Sequence, residues 1–439
     1  FFPFAKTLFL SLHSTTPKGE ISKFVGFSNF TSLLTSEAFR NSLFVTVKYS
    51  LMVVFFSIAA GFITGVLANE KIPGTGLFRT IYSLPMAISS AAASIIFIFV
   101  FHPSIGILNY LLGTDIGWLI SDKWALFSVV MVTVWMNIGL NFIFILAALQ
   151  SVPPELYESA SLEGAGFFRK HLSITLPCIS PTLFFLLIIN VINSFQSFAQ
   201  INLMTKGGPG QSTYVIVYSI YQEAFFNNRF GLACAESVIL FFIILALTLV
   251  QFRLEEGDLL MVQNKSTKWI LLAVNCVVAL CIVLPILYAF SVSLMTPSEI
   301  FQYPPRLLPS GLYTQNYTDA LRMAPIFRFI LNSLFVATVV TIGQLFTGAL
   351  AAYAFSILEF KGKKAIFMLM LCTMMIPSQA IIIANYLTIS GLGMTDSYQA
   401  LILPYLTSAF CVFNMRQAFL QLPTELNEAA KIDGCSTFR

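Results

Sequence analysis

The chain has 439 residues, of which 57% are hydrophobic and only 10% charged, with a formal net charge of +4. Soluble domains carry about 25% charged residues, so an ordinary soluble protein is excluded, and the small, dispersed positive charge gives no nucleic-acid footprint. Cys178, Cys234, Cys276, Cys281, Cys372, Cys411 and Cys435 form no CxxC pair and read as small buried hydrophobes, while His13, His102 and His171 stand far apart, so no metal site is expected.

In chain order, residues 1–12 are apolar but too short to cross a bilayer, and read as the tail of a first span whose beginning is missing. No signal peptide with a basic start is visible. Residues 14–40 form a polar loop with scattered aromatics. Residues 41–69 make a full span and 71–79 a tight turn with Pro73 and Gly74. Residues 77–101 span again and carry Pro85, which membrane helices accept when neighbours satisfy the freed carbonyl. A loop at 102–124 leads to spans at 125–149 and 178–204, a longer loop at 205–230, and a last span at 231–253.

Residues 254–267, with Glu255, Glu256, Asp258 and Lys265, and Lys268 at the edge, are the strong linker candidate. Beyond them the pattern restarts, with spans at 269–294, 331–356, 365–387 (carrying Pro377) and 398–420. Asn41-Ser-Leu-Phe-Val45 recurs as Asn332-Ser-Leu-Phe-Val336, and Pro85 follows Asn41 at nearly the distance by which Pro377 follows Asn332. The expected fold is an all-α membrane protein of two tandem homologous helical modules. The first is residues 1–253, the junction 254–268, and the second 269–439, truncated in its last polar stretch. Parallel repeats are commonly related by an axis along the membrane normal. A natural fusion and two subunits written as one chain both fit.

The most polar run between apolar spans is 155–177, ELYESASLEGAGFFRKHLSITLP, and a second version, ELNEAAKIDGCSTFR, begins at Glu425. Each reads as a short helix with a sharp exit. Pro154 and Pro423 suit a first helical turn, Glu155 and Glu425 favour the positive end of the helix dipole, and Gly164 and Gly434 can take the positive φ that ends it. Leu156, Ala160 and Gly164 share a face by i, i+4 spacing, bare enough at Ala160 and Gly164 for a partner backbone to approach.

The pattern EAA-x3-G-x9-I-x-LP resembles the conserved cytoplasmic loop of bacterial ABC importer permeases. The first copy departs from it at Ser159; the second matches EAA-x3-G and stops. The resemblance covers almost the whole chain and is closest to sugar-importer permeases of the maltose and glycerol-3-phosphate type. It implies the type I ABC importer permease fold in the bacterial cytoplasmic membrane. It also implies coupling helices, carried by Glu155, Glu158, Ser159, Ala160 and Gly164 and by Glu425, Glu428, Ala429, Ala430 and Gly434. These would dock onto a dimer of cytoplasmic ABC ATPase subunits. ATP and Mg would be bound there, with no cofactor or catalysis in this chain, and an extracellular solute-binding protein would deliver the cargo. Lysines of the second half lie on the side of its coupling stretch, as the positive-inside rule requires. In the first half Lys18, Lys23, Lys123, Lys206 and Arg229 break that bias, so its orientation follows from the repeat and the resemblance.

Amides stand out within the spans. Asn193, Gln196 and Gln200, at i, i+3, i+7, share a face of the predicted 178–204 helix, and Asn137 and Asn141 share one on the preceding span. With Asn190 they read either as a polar translocation cavity for a sugar or as interhelical hydrogen bonds. Phe195, Phe198 and Tyr214 offer flat apolar faces. Glu236 is the exceptional charge within a span, to be placed against a polar cavity, a partner or the interface. The run Gly207-Gly-Pro-Gly-Gln-Ser-Thr213 lacks the lysine of a phosphate loop; the resemblance implies the outer side for it, where a contact with the binding protein is expected. The competing reading is an ion-coupled secondary transporter, which needs no coupling loop.

Overall fold

The computed structural model describes residues 2–70, 74–162, 164–253, 268–302, 305–374, 376 and 378–420. The second coupling stretch (Glu425, Glu428, Ala429, Ala430 and Gly434), the junction at 254–267 and Pro377 lie outside the described residues.

Helix α1 (Phe2–Ser11) runs into an antiparallel hairpin of β1 (His13–Thr15) and β2 (Ile21–Phe24), in a stretch that sequence reads only as loop. The main helices that follow are α2 (Glu37–Asn69), α3 (Thr75–Ser83), α4 (Ser90–Val100), α5 (Ala125–Ser151) and α6 (Glu155–Leu162). They continue with α7 (Ser180–Phe195), α8 (Phe230–Arg253), α9 (Lys268–Ser293), α10 (Ile326–Ser356), α11 (Lys363–Met374), α12 (Ser378–Gly391) and α13 (Ala409–Leu420). Among the described residues five helices are long and apolar enough to cross a membrane, or seven if two bent pairs each count as one span.

Helix α2 begins where Ser36 accepts a hydrogen bond from the Phe39 amide and Glu37 complements the helix dipole. Its 33 residues measure about 50 Å, well beyond the roughly 30 Å hydrocarbon core, so one end stands clear of the apolar layer.

Four predicted spans are not continuous helices. In 77–101 the chain bends by 102° between Thr75–Ala87 and Ser90–Val100. Pro85 sits in a 3-10 turn, Leu84–Ala87, Ile88 is extended, and Ser89 caps α4 by accepting from the Ala92 amide. The span predicted at 178–204 bends by 68° between His171–Cys178 and Ser180–Phe195, leaves helical geometry after Phe195, and resumes at Ala199–Met204. The one predicted at 365–387 divides into α11 and α12. The span predicted at 398–420 likewise opens with a short helix, Tyr398–Ile402, and a 3-10 turn, Leu403–Tyr405, before α13. Periodicity reports an apolar run whether or not it is straight. The cysteine expectation also needs correcting: Cys234 is buried, but Cys276, Cys281 and Cys372 are exposed on their helices.

The tightest packing is α2 on α5, with α7 also against α2. Small residues set this approach: a Cβ placed on Gly61 would lie 2.5 Å from Asn141 Cβ, and one on Gly65 would meet Ile145. The second half packs on the first by an exchange of opening helices. Helix α1 lies on α12, where Thr7 Oγ1 donates to the Ala380 carbonyl at 2.8 Å and Lys6 Nζ donates to Thr388 Oγ1 at 3.0 Å. Helix α9 lies on α3 and α4, where Tyr82 Oη donates to Asn275 Oδ1 at 2.7 Å. There Trp135 Nε1, on α5, donates to the Ile282 carbonyl at 2.9 Å.

Because the Gly61 contact is with side chain and backbone of a packed helix, Gly61→Val will separate α2 from α5. Overpacking of this kind costs about 1–3 kcal/mol. A lowered unfolding temperature of the detergent-solubilised protein, with Gly76→Val as the silent control because Gly76 has open space around it, is the expected outcome.

Candidate functional site

Only Val152, Pro153 and Pro154 separate α5 from α6. The helix ends as the sequence demands. Gly164 takes φ +77°, and the Ala165 amide donates back to the Ala160 carbonyl at 2.9 Å, the six-to-one bond of a Schellman turn. Tyr157 anchors the helix: it is buried among Val66, Ile145, Leu149, Ile174 and Leu186, within 3.4 Å of Thr175 Oγ1, and burial pushes its phenol above the ordinary value.

This anchoring reverses one expectation. Ala160 is buried together with Tyr157, so the bare face at Ala160 turns toward the chain's own body. The outward face carries Glu155, Glu158, Ser159 and Gly164, with Leu162 90% exposed at its end. Just beyond, Lys170 is buried, its Nζ has no hydrogen-bond partner among the described residues, and burial lowers its pKa.

The amides divide into two groups. Asn141 and Asn190 are fully enclosed and clasp each other: Asn190 Nδ2 donates to Asn141 Oδ1 at 2.8 Å and Asn141 Nδ2 to Asn190 Oδ1 at 3.3 Å. Asn137 Nδ2 reaches the same Asn190 oxygen at 3.5 Å from a half-buried position. The predicted stripe of Asn193, Gln196 and Gln200 is broken with its helix. Asn193 is exposed on α7, Gln196 is half-buried at its C-terminal end, and Gln200 is buried on the separate Ala199–Met204 helix. Gln200 Oε1 accepts from Ser197 Oγ at 3.2 Å, and Ser197 leads through Tyr49 to Thr133. That polar chain escapes sequence reading because its members sit on different helices at no shared period.

Glu236 is buried on α8 and accepts from Ser219 Oγ at 3.0 Å; its other oxygen has no hydrogen-bond partner among the described residues. Of the three aromatic faces expected, Phe195 is part of the core. Phe198 and Tyr214 belong to a ring cluster with Tyr218, Tyr221 and Phe225, which extends to Tyr386 of the second half, 5.3 Å from Phe225. Among the described residues there is no His, Cys, Asp and Glu grouping that fits a metal ion. The 207–213 run folds against α2 and α5, with Gly207, Gly210 and Gln211 at positive φ and Asn41 Nδ2 donating to the Gln211 carbonyl at 3.4 Å.

The model of the family described as "Binding-protein-dependent transport system inner membrane component" matches residues 57–257 and 344–439. The chain belongs to this family. It is similar to the sn-glycerol-3-phosphate transport system permease protein UgpA of Agrobacterium fabrum, 36% identical over 260 residues, which are 58% of this chain and 89% of that protein. UgpA of Salmonella typhimurium is 36% identical over 259 residues, 58% of this chain and 88% of its own length. A solved bacterial ABC transporter involved in the import of the acidic polysaccharide alginate matches at 25% identity and TM-score 0.50, over 58% of this chain and 91% of its own. The bacterial alginate ABC transporter in complex with alginate pentasaccharide-bound periplasmic protein matches at 27% identity and TM-score 0.49, over 53% and 83%. Family membership makes the chain a multi-pass inner-membrane permease of a bacterial ABC importer that works with a binding protein and is not itself catalytic. The ion-coupled secondary transporter is thereby set aside.

The clasp and the half-exposed amides should separate in a mutant cycle. Asn141→Ala and Asn190→Ala are expected to couple by about 0.6 to 1.7 kcal/mol in membrane unfolding equilibria. Asn193→Ala paired with Asn141→Ala should show additive effects.

Proposed function

We propose that the chain carries two permease modules, residues 1–253 and 269–439, which pair around one translocation path for a sugar or sugar-like solute. Two observations support the pairing. The family model matches two separate stretches, while one relative's length is nearly used up by 58% of the chain. The opening helices are also exchanged reciprocally: α1 covers α12, and α9 covers α4, its counterpart after the Pro85 bend. The two contacts are related as the two halves of an isologous interface are.

The observation that carries the functional reading is α6: a helix fixed at Tyr157 and Ala160, closed by Gly164, and offering Leu162 outward. An exposed leucine rimmed by Glu155, Glu158 and Ser159 suits a groove on a cytoplasmic ATPase subunit, with a second subunit taking the stretch around Glu425–Gly434. ATP and Mg bind in those subunits, and their closure moves the two coupling helices together. The solute-binding protein docks on the opposite face, where the 207–213 run lies.

The cargo reading rests on chemistry. Asn137, Asn193 and Gln196 are neutral donors and acceptors not enclosed by the fold, and the ring cluster from Tyr214 to Tyr386 joins the two modules; such groups suit hydroxyl-rich solutes. The relatives named for glycerol-3-phosphate and alginate are consistent with a polyol backbone. Asn141 and Asn190 act as structural clasp, and Glu236 with Ser219 as a buried polar pair.

Leu162→Glu is expected to reduce ATP-dependent uptake at least tenfold in membrane vesicles, with normal insertion and loss of ATPase co-purification. Gly164→Trp, which adds bulk beside the docking face and also strains the φ +77° exit of α6, should reduce uptake as well. Wild-type uptake in both would overturn the docking reading. Asn193→Ala with Gln196→Ala should lower uptake while ATPase co-purification stays intact; unchanged uptake would remove both from the path.

A further inference from the structure

Helix α2 carries one charge in an apolar outward stripe. Phe44, Leu51 and Phe55 are each 68% exposed, and Lys48 lies among them, also exposed. No charged residue follows until Glu70, so the uncharged run 49–69 covers about 30 Å, one hydrocarbon thickness, and Lys48 marks its edge. Just before α5, Lys123 and Trp124 stand beside that edge, because Lys123 lines the same cavity as Lys48. Lys123 Nζ lies 5.4 Å from the Trp124 ring centroid, and tryptophan favours the level of lipid headgroups. Lys48 and Lys123 thus come together near the ends of α2 and α5 away from α6.

The two lysines line one cavity of about 230 Å³, together with Asn41, Asp122, Ser212 and the apolar Phe44, Met52 and Phe127. Among the described residues neither lysine is in an ion pair, and Ser212 Oγ has no hydrogen-bond partner. The Asn41 amide already leans on the Gln211 carbonyl, which holds the 207–213 run as the cavity's far wall.

We propose that this cavity holds the phosphodiester headgroup of an anionic phospholipid in the leaflet opposite the coupling helix. The lysine ammoniums and the Ser212 hydroxyl donate to the phosphate oxygens. Asp122 accepts from a headgroup hydroxyl, which a phosphoglycerol lipid supplies. The acyl chains descend over Leu51, Phe55 and Phe127. Lysine ammoniums bind phosphate oxygens by charge-assisted hydrogen bonds, and this role accounts for a positive charge on the side that the positive-inside rule leaves poor. The inference rests on the membrane orientation proposed above but not on the cargo or the coupling contact.

The same phosphate chemistry could come from free glycerol phosphate, so the test has two arms. Native mass spectrometry of the intact importer complex counts retained phosphatidylglycerol, and titration compares phosphatidylglycerol with phosphatidylethanolamine. The Lys48→Gln, Lys123→Gln pair should lose one phosphatidylglycerol and bind it at least tenfold more weakly, with uptake-competent assembly checked by ATPase co-purification. The Lys48→Arg, Lys123→Arg pair should keep the lipid, which covers the case in which the neutral pair fails to assemble. Equal retention by wild type and the neutral pair, equal binding of both lipids, or displacement by millimolar sn-glycerol 3-phosphate would each overturn the proposal.

Discussion

The structure depends on polar groups being satisfied inside a medium that cannot satisfy them. Asn141 and Asn190 are the plainest case. In hydrocarbon each amide would lose its hydrogen bonds to water, so the two exchange bonds across α5 and α7. That exchange requires a close approach, which Gly61 allows by presenting no side chain to Asn141. The clasp therefore fixes α2, α5 and α7 as one unit. Because α5 passes into α6 through three residues, the unit that holds Asn137 and Asn193 also carries α6.

The bent helices follow from the same constraint. A break in a membrane helix frees backbone groups, and these must be met by protein. At Pro85 the missing amide is absorbed by a 3-10 turn, and Ser89 restarts the ladder. After Phe195 the chain departs from the helix next to Ser197, whose hydroxyl is tied to Tyr49. The helix that resumes after this break, Ala199–Met204, packs on α4, the helix that follows the Pro85 bend. Backbone irregularity inside a membrane belongs where protein or water surrounds it, and a solute path has both.

Much of the helical layout was legible in the sequence as apolar runs, although the predicted span at 41–69 misses the first turn of α2, which Ser36 and Glu37 open in a stretch read as loop. The glycine exit of α6 was equally legible, since a positive φ is cheap only for glycine. The bends were not, because an apolar run looks the same straight or broken. Nor was the burial of Ala160: helical periodicity says which residues share a face but not which face meets the protein. Asn141 and Gln200 were visible as amides, but whether an amide is clasped or open depends on residues such as Gly61 and Ser197 on other helices. Tyr386 could not be joined to the ring cluster by sequence, because the contact crosses between the two halves.

The exchange of opening helices bears on how force travels. Helix α1 begins the first half yet rests on α12 of the second, and α9 begins the second half yet rests on α3 and α4 of the first. Each half therefore holds the opening helix of the other. If the bodies carrying α6 and α13 rotate toward each other, α1 and α9 must either slide over the bent segments or carry them along. The buried hydrogen bonds at Thr7–Ala380, Tyr82–Asn275 and Trp135–Ile282 oppose sliding. Any relative movement of the two halves therefore bears first on α4 and on α12, which carries Tyr386 of the ring cluster.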